Sequence, residues 1–296
     1  MTQPTLLTVG LPVYNSERYI SQSIESLLNQ TYRDFRLIIS DNASTDGTAE
    51  ICKAYASRDA RIAYYRNDVN IGLSPNFNRV FALAESKYFK WATADDYWAP
   101  TLLARAVEIM EADDSIALCY PKTTLVDADG GNPQLYEDGL HLMSDSPQER
   151  FIQLMNRIRL SHQHLGVSRV SMVKCTHLLG EHGGSDINLL AELSLFGKFY
   201  EIPERLFFRR FHKDSSSWAR NSKEHQARRY HSAKSARITL TCWHWYRAFF
   251  GAVYRAPIKF RDKFALYRYL GRRVRWDRHR LASELWAKTS QVVGRA

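Results

Sequence analysis

The sequence predicts an α/β protein, a mostly parallel sheet flanked by helices, continued by a basic helical C-terminal tail. Three observations carry that prediction. Short apolar runs alternate with helix-like segments through the first third of the chain, at about 25–30 residues per unit, the size of a strand–helix repeat. The residues with the most chemistry in them, Tyr14, Asn15, Asp41 and Asp95, each fall directly after an apolar run. Charge is split along the chain: residues 1–218 carry 22 Lys/Arg against 27 Asp/Glu, whereas residues 219–296 carry 19 against 4.

The elements follow in order. Leu6–Leu11 reads as a buried strand, and Asn15 or Ser16 is placed to cap a helix whose Ile20, Ile24, Leu27 and Leu28 share one face. Phe35–Ser40 is a second strand, running into the turn-forming Asp41-Asn-Ala-Ser-Thr-Asp-Gly-Thr48 and then a helix to about Ser57. Ile62–Arg66 is a third strand, 67–75 a polar loop, 76–85 a third helix and Tyr88–Ala92 a fourth strand. Pro100 opens the next helix, and Ile116–Tyr120 is a further strand. Lys122–Ser146, rich in Gly, Asp and Pro, reads equally as an acceptor-facing loop or a disordered linker. Pro147–Leu160 is amphipathic, Leu165–Val170 is β-prone, Ile187–Phe196 is an apolar helix, and Phe199–Pro203 and Leu206–His212 read as two strands.

With 296 residues, 45% of them hydrophobic, the chain suits one large domain or one domain with an appendage. Cys52, Cys119, Cys175 and Cys242 lie far apart without a CxxC pair, which argues against a zinc site or a disulfide framework and fits a reducing cytoplasm. Met1–Leu11 lacks a basic stretch followed by a long apolar one, so no signal peptide is expected. No run of 18 apolar residues predicts a membrane-crossing helix.

The stretch with the sharpest chemistry is Trp91-Ala-Thr-Ala-Asp-Asp-Tyr-Trp-Ala-Pro100. Two adjacent carboxylates at the carboxyl end of a strand sit where open α/β sheets bind ligands. They call for a cation, and hard oxygen ligands favour Mg²⁺ or Mn²⁺. A solvated turn with a capping Asp is the plainer alternative. Four further stretches precede this one in the chain: Leu-Pro-Val-Tyr-Asn-Ser-Glu (11–17), Ser-Leu-Leu-Asn-Gln-Thr-Tyr (26–32), Asp-Asn-Ala-Ser-Thr-Asp-Gly-Thr (41–48) and Asn-Ile-Gly (70–72). Together with Ala-Asp-Asp-Tyr-Trp-Ala-Pro (94–100) they resemble the family-2 glycosyltransferases, densely over 6–125, more weakly over 160–217, and not in the tail.

That resemblance implies a GT-A fold and transfer of a sugar from a nucleotide-sugar donor, with inversion. It implies a catalytic domain over 1–218, nucleotide-binding in 1–125 and acceptor-binding in 126–218, and a separate basic helical extension over 219–296. Pro12, Tyr14 and Asn15 would wall the nucleotide pocket, and Asp41 would accept a hydrogen bond from the base. Asn76 and Asn78 would either reach the donor or cap a helix; Asp46 is better placed as a cap. Many relatives have an acid where this chain has Thr93. Asp95 then matches the metal-coordinating residue that also meets the donor, with Asp96 as an auxiliary ligand and His212 as a further metal or diphosphate contact. Arg209 or Arg210 would offset phosphate charge. Asp186, after Glu181-His-Gly-Gly-Ser, matches the general base, with helix capping as its alternative role and Glu181 in reserve. His162 and His164 show no evident partners.

In the tail, Ile238, Cys242, Trp245, Phe249 and Val253 form one stripe, and Phe260, Phe264, Tyr267, Gly271 and Val274 another, with Arg and Lys between them. Such faces suit an anionic membrane surface, or packing on the catalytic domain or another subunit. No RNA-binding module accompanies the charge, so nucleic acid is not an expected partner. The expectation is therefore a metal-assisted glycosyltransferase with a glycan or lipid-linked acceptor, active in surface-glycan or polysaccharide synthesis. It would be cytoplasmic or peripheral on the inner membrane face, with an oligomer left open. The alternative is a catalytically degenerate nucleotide-sugar-binding or membrane assembly partner. A nucleotidyltransferase would carry a Gly-rich basic loop after the first strand, and Pro12-Val-Tyr-Asn15 is not one.

Overall fold

The computed structural model describes residues 5–212 and 240–293. The body begins with three parallel strands, β1 (Leu7–Val13), β2 (Phe35–Asp41) and β3 (Ile62–Arg66), and the helices α1 (Ile20–Leu28), α2 (Thr48–Ala56) and α3 (Leu73–Ala82) that follow them. Next come β4 (Tyr88–Trp91), β5 (Tyr97–Trp98), α4 (Leu102–Ala112), β6 (Ile116–Val126), β7 (Gln134–Tyr136) and α5 (Pro147–Arg157). A 3₁₀ turn (His162–Leu165) leads to β8 (Val167–Arg169), α6 (Val170–Val173), α7 (Ser185–Phe196) and β9 (Lys198–Arg210). Among the described residues these strands form one nine-stranded sheet, ordered β3-β2-β1-β4-β8-β6-β9-β5, with β7 paired to β6. The longest pairings, β1 with β2 and β6 with β9, are parallel. The chain steps outward from β1 in both directions, to β2 and to β4, which makes the carboxyl ends of these strands a ligand-binding crevice in an open sheet.

The core forms where the sequence is most aromatic. Phe89 meets Phe81 edge-on at 5.1 Å and Trp91 at 4.8 Å, and Phe81 stacks on Trp91 at 5.6 Å. Gly10 on the neighbouring strand leaves room for this cluster, because a Cβ there would lie 2.5 Å from the Phe89 ring and 2.8 Å from Val80. Within the β4 run sits Lys90, fully buried, its ammonium bonded to the Leu165 carbonyl and 4.5 Å from the Trp98 ring centre. Burial depresses its pKa to about 7.

Several elements depart from the expectations. Neither Asn15 nor Ser16 caps α1 with its side chain; Ser16 closes the turn before it through its carbonyl, which accepts from Tyr19 and Ile20 at 3.1 Å. Helix α3 starts at Leu73, after Gly72 at φ 94°, three residues before the expected start. Lys122–Ser146 is neither linker nor free loop. Strand β6 runs on to Val126, Asp127 organises the turn into β7, and Leu140 and Leu142 are fully buried. The two expected C-terminal strands are one strand, β9, whose register on β6 jumps from Ile202 to Arg205. Pro203 lies in that bulge, where its missing N–H costs no ladder bond.

The tail forms α8 (Thr241–Arg255), α9 (Phe260–Trp276) and α10 (Arg278–Val293). Helix α8 packs on α7 through buried Cys242, Phe249 and Val253, and Arg255 pairs with Glu192 at 2.7 Å. The first expected stripe thus faces the body, although Ile238 and the 218/219 boundary lie outside the described residues. The second stripe is split: Tyr267 and Val274 are half-buried against the core, Tyr267 stacked on Phe250 at 6.0 Å, beside the buried Leu266, Tyr269 and Leu270, while Phe260 and Phe264 face outward.

Replacing Gly10 with Ala should force the Phe81–Phe89–Trp91 cluster apart. An overpacked core of this kind typically loses about 1–3 kcal/mol, which urea denaturation would read as a lower midpoint at unchanged slope.

Candidate active site

The crevice begins where β1 and β2 end side by side, Val13 opposite Asp41. The loops that follow are fastened to each other. Asn15, at φ 47°, accepts the Thr45 amide on Oδ1 at 2.8 Å while its own amide donates to Ser44 Oγ at 3.0 Å. Asp46 accepts the Thr48 amide at the start of α2 and the Glu17 amide across the loops, both at 3.1 Å, although the N-cap position itself is Gly47. Tyr14, between the strand and this knot, is 47% exposed, so its ring is presented to the crevice mouth. Pro12 is buried within β1 opposite Ser40.

Asp41 is fully buried. Its Oδ1 accepts the Ser44 amide at 2.9 Å, and its Oδ2 accepts Tyr64 Oη at 2.8 Å and the Arg66 guanidinium. Burial, reinforced by the bond to Asp41, pushes the Tyr64 phenol up to about 12, so Tyr64 stays a donor. Asn76 is also buried, its Oδ1 accepting from Ser40 and Asn67 and its Nδ2 donating to the Ser40 carbonyl at 2.9 Å. It neither starts a helix nor opens onto the crevice: it ties α3 to β2. Asn78 exchanges two hydrogen bonds with the Leu179 backbone, at 2.9 and 3.1 Å, and so secures the segment leading to α7.

At the acidic turn the two carboxylates have different tasks. Asp96 is buried, accepting the Arg210 amide on Oδ1 at 2.8 Å and the Thr93 hydroxyl on Oδ2. Burial, with the Asp95 charge beside it, raises its carboxyl to about 7. With both oxygens occupied it does not fit as a direct metal ligand. Asp95 is different: its side chain is 31% exposed and its Oδ2 lies 3.2 Å from His212 Nε2. An oxygen and an imidazole nitrogen facing each other at a crevice suit a divalent cation completed by substrate oxygens. Among the described residues no three His, Cys, Asp or Glu side chains cluster as a metal site, so the described residues offer at most this pair. Arg210 is committed to structure. Its guanidinium binds the Asp95 carbonyl and Gln22 Oε1, and lies 4.5 Å from the Tyr19 ring centre and 5.4 Å from that of Tyr97.

Asp186 lies in the first turn of α7, where the N-cap is Gly184 at φ 77° rather than an acid. Its Oδ1 accepts the Ile187 amide at 2.9 Å and its Oδ2 accepts the Ser161 hydroxyl. A Cβ on Gly184 would lie 2.6 Å from Trp245, whose Nε1 donates to the Gly183 carbonyl at 2.6 Å. Helix α8 therefore holds the loop that delivers Asp186. Glu181 is exposed on that loop.

Two histidines that looked partnerless in the sequence turn out to be well partnered. His164 Nδ1 is 2.6 Å from the Ser161 carbonyl; burial lowers its pKa, and the Asp186 charge opposes that shift. His162 Nδ1 is 2.9 Å from Arg209 Nη1, and a guanidinium can only donate. Nδ1 is therefore the unprotonated nitrogen, and Nε2–H faces Asp138 Oδ2 at 3.0 Å and Thr123 Oγ1 at 2.9 Å. Arg209 acts electrostatically on both Asp96 and His164, and Asp186 on His164. Ser161, Asp138, Tyr64, Arg66 and Gln22 were not foreseen. No motif marks them, since each is recruited from a distant part of the chain.

Known proteins fit this arrangement. The family model described as Glycosyl transferase family 2 matches residues 8–174, from β1 through the acidic turn to the end of α6. An uncharacterized glycosyltransferase of Methanocaldococcus jannaschii is 34% identical over 127 residues, which is 42% of this chain and 44% of that protein. The Escherichia coli UDP-Glc:alpha-D-GlcNAc-diphosphoundecaprenol beta-1,3-glucosyltransferase WfaP is 31% identical over 108 residues, 36% of this chain and 42% of that one. The chain thus spans less than half the length of these curated relatives. Residues 1–349 of S. aureus TarS in complex with UDP superpose with a TM-score of 0.65 at 16% identity, covering 90% of this chain and 71% of that one. The mannosyltransferase PcManGT of Pyrobaculum calidifontis, in complex with GDP-Man and Mn2+, gives a TM-score of 0.52 at 15% identity, covering 98% and 87%. At such identities the likeness is one of fold.

The His162 arrangement predicts acid sensitivity. Burial holds its pKa below the ordinary imidazole value of 6.5, although Asp138 pulls the other way. Below that value the unfolded chain binds a proton that the folded chain refuses, so stability should fall as pH drops through the window. His141, His164 and His182 are shifted in the same direction. His162→Gln should therefore flatten, without abolishing, the loss of urea midpoint between about pH 6.5 and pH 5.

Proposed function

Because this chain belongs to glycosyl transferase family 2, we propose that it transfers a sugar from a nucleotide-sugar donor to a hydroxyl of a glycan or lipid-linked acceptor, with inversion, in surface-glycan or polysaccharide synthesis. The observation that carries this reading is the Asp95–His212 pair at the acidic turn, 3.2 Å apart, with Arg209 acting on Asp96 there and, together with Asp186, on His164. Tyr14 packs against the nucleotide base and ribose. Asp41, fully buried and held by the Ser44 amide, Tyr64 and Arg66, stiffens the wall behind the base rather than meeting it. Support for the acceptor class comes from the Escherichia coli relative, whose name specifies a diphosphoundecaprenol-linked sugar.

Asp95 and His212 are the residues that would hold a Mg²⁺ or Mn²⁺ ion; bound there, the ion supplies positive charge for the diphosphate leaving group. Asp186 takes the proton from the acceptor hydroxyl as that oxygen attacks the anomeric carbon. The Ser161 hydroxyl and the Ile187 amide orient its two oxygens. Arg209, steered by His162, adds a fixed positive charge near the acidic turn. A catalytically degenerate nucleotide-sugar binder is the second reading, favoured by Thr93 standing where many relatives carry an acid.

A screen of UDP- and GDP-sugars by thermal shift, with and without Mn²⁺, tests donor binding without an acceptor. A shift with one donor class is expected, and Asp95→Ala should remove its Mn²⁺-dependent part. Asp186→Asn should lower transfer by roughly 10²–10⁴-fold, the usual contribution of a general base, and leave the donor shift intact. Equal loss of donor binding and transfer would make Asp186 a structural residue. A donor shift without transfer to any acceptor would favour the degenerate reading.

A further inference from the structure

Helix α9 has two faces of different character. The inner one is anchored: Tyr269 Oη donates to Asn156 Oδ1 at 2.7 Å, Arg273 donates to the Met155 carbonyl at 3.1 Å, and Leu266 and Leu270 are fully buried. On the outer face Phe260 is 83% exposed, Phe264 56% and Trp276 86%. Arg268, Arg272 and Arg275 are exposed between them. At 3.6 residues per turn these six side chains span roughly 160° of a helix roughly 25 Å long. The neighbouring acids are turned away from it. The Asp262 side chain is only 14% exposed, and Asp277 accepts the Tyr246 hydroxyl on the inner side at 2.5 Å. Residues 240–293 as a whole carry 12 Lys/Arg against 3 Asp/Glu.

Three large aromatic side chains in water, spaced by arginines and free of carboxylates, match a lipid headgroup region in chemistry. Aromatic rings settle at the headgroup level, arginine stems lie along apolar surface with the guanidinium in the polar layer, and the cations meet anionic lipid. No helix among the described residues is long and apolar enough to cross a membrane, so contact by α9 is lateral. We propose that the outer face of α9 docks the protein on an anionic phospholipid bilayer, with the helix axis in the plane of the surface. The contact also orients the site. Helix α9 packs on α8 and α5, both pack on α7, and Trp245 of α8 is bonded to Gly183 and Asn188 around the Asp186 turn. The bilayer is thus rigidly coupled to the acceptor side; that second consequence, unlike the docking itself, rests on the role proposed for Asp186.

The test is co-sedimentation of the full chain, without donor or acceptor, with vesicles of phosphatidylglycerol and phosphatidylcholine or of phosphatidylcholine alone. Binding is expected on the anionic vesicles, with a blue shift of tryptophan fluorescence, and should weaken with salt. The triple variants Phe260→Ser/Phe264→Ser/Trp276→Ser and Arg268→Gln/Arg272→Gln/Arg275→Gln should each bind at least tenfold more weakly, with unchanged circular dichroism and melting temperature. The proposal is overturned if the wild type stays in the supernatant, or if folded triple variants bind as well as it does. It is also overturned if the wild type is a dimer in solution that the aromatic variant dissociates, which would assign the face to a second copy. Equal binding to duplex DNA, insensitive to the aromatic substitutions, would assign it to polyanions. Because no sugar transfer is measured, none of these outcomes bears on the glycosyltransferase reading.

Discussion

The pin between the end of β9 and the acidic turn is the interaction on which the site depends. The Arg210 amide is held by Asp96, and its guanidinium reaches the Asp95 carbonyl and Gln22 of α1 between the rings of Tyr19 and Tyr97. Removing one partner of a buried, hydrogen-bonded charge leaves the other desolvated, which is why such pins are costly to break. Side chains alternate along a strand, so pinning Arg210 sends Arg209 to the other face, where His162 receives it. Two residues further on, His212 arrives beside Asp95. One clamp therefore sets the Asp95–His212 pair and a fixed cation together. It also explains the division of labour between adjacent carboxylates: Asp96 is spent on architecture, with Thr93 bonded to it, and Asp95 keeps the crevice.

The donor side is built on the same economy. Asp41, Asn15 and Asn76 all lie on or behind the crevice wall, yet each spends hydrogen-bonding capacity on the backbone or on neighbours. A buried polar group without partners is expensive, so these side chains satisfy one another before any ligand arrives. The result is a rigid wall with few flexible side chains, of which Tyr14 is the most exposed aromatic. Around the start of α7 rigidity comes from the tail. Trp245 closes over Gly184, where a larger residue would find neither the required φ nor the space. The tail helices thus serve as a brace for α7 on one side and present an aromatic, arginine-rich surface on the other.

Much of this was legible in the residues alone. The strand–helix alternation, the ligand edge, the turn at Asp46 and the location of Asp95 follow from local patterns, because strand ends and turns are decided by neighbours in sequence. The family follows too, since five short motifs recur in order. What the tertiary structure decided is which of several equivalent candidates does what. Asp95 and Asp96 are identical in composition and one residue apart, and only the arrival of Arg210, 114 positions along the chain, distinguishes them. His162 and His164 acquire meaning only when Asp138, Arg209 and Ser161 fold against them. In α9 an aromatic stripe at helical spacing left membrane contact and packing both open; the structure centres the packed face on Leu266, Tyr269 and Leu270 and leaves Phe260 and Phe264 outside. Periodicity shows that a helix has faces; which face is buried depends on the surface that α5 and α8 offer it, and that surface does not exist until the chain has folded.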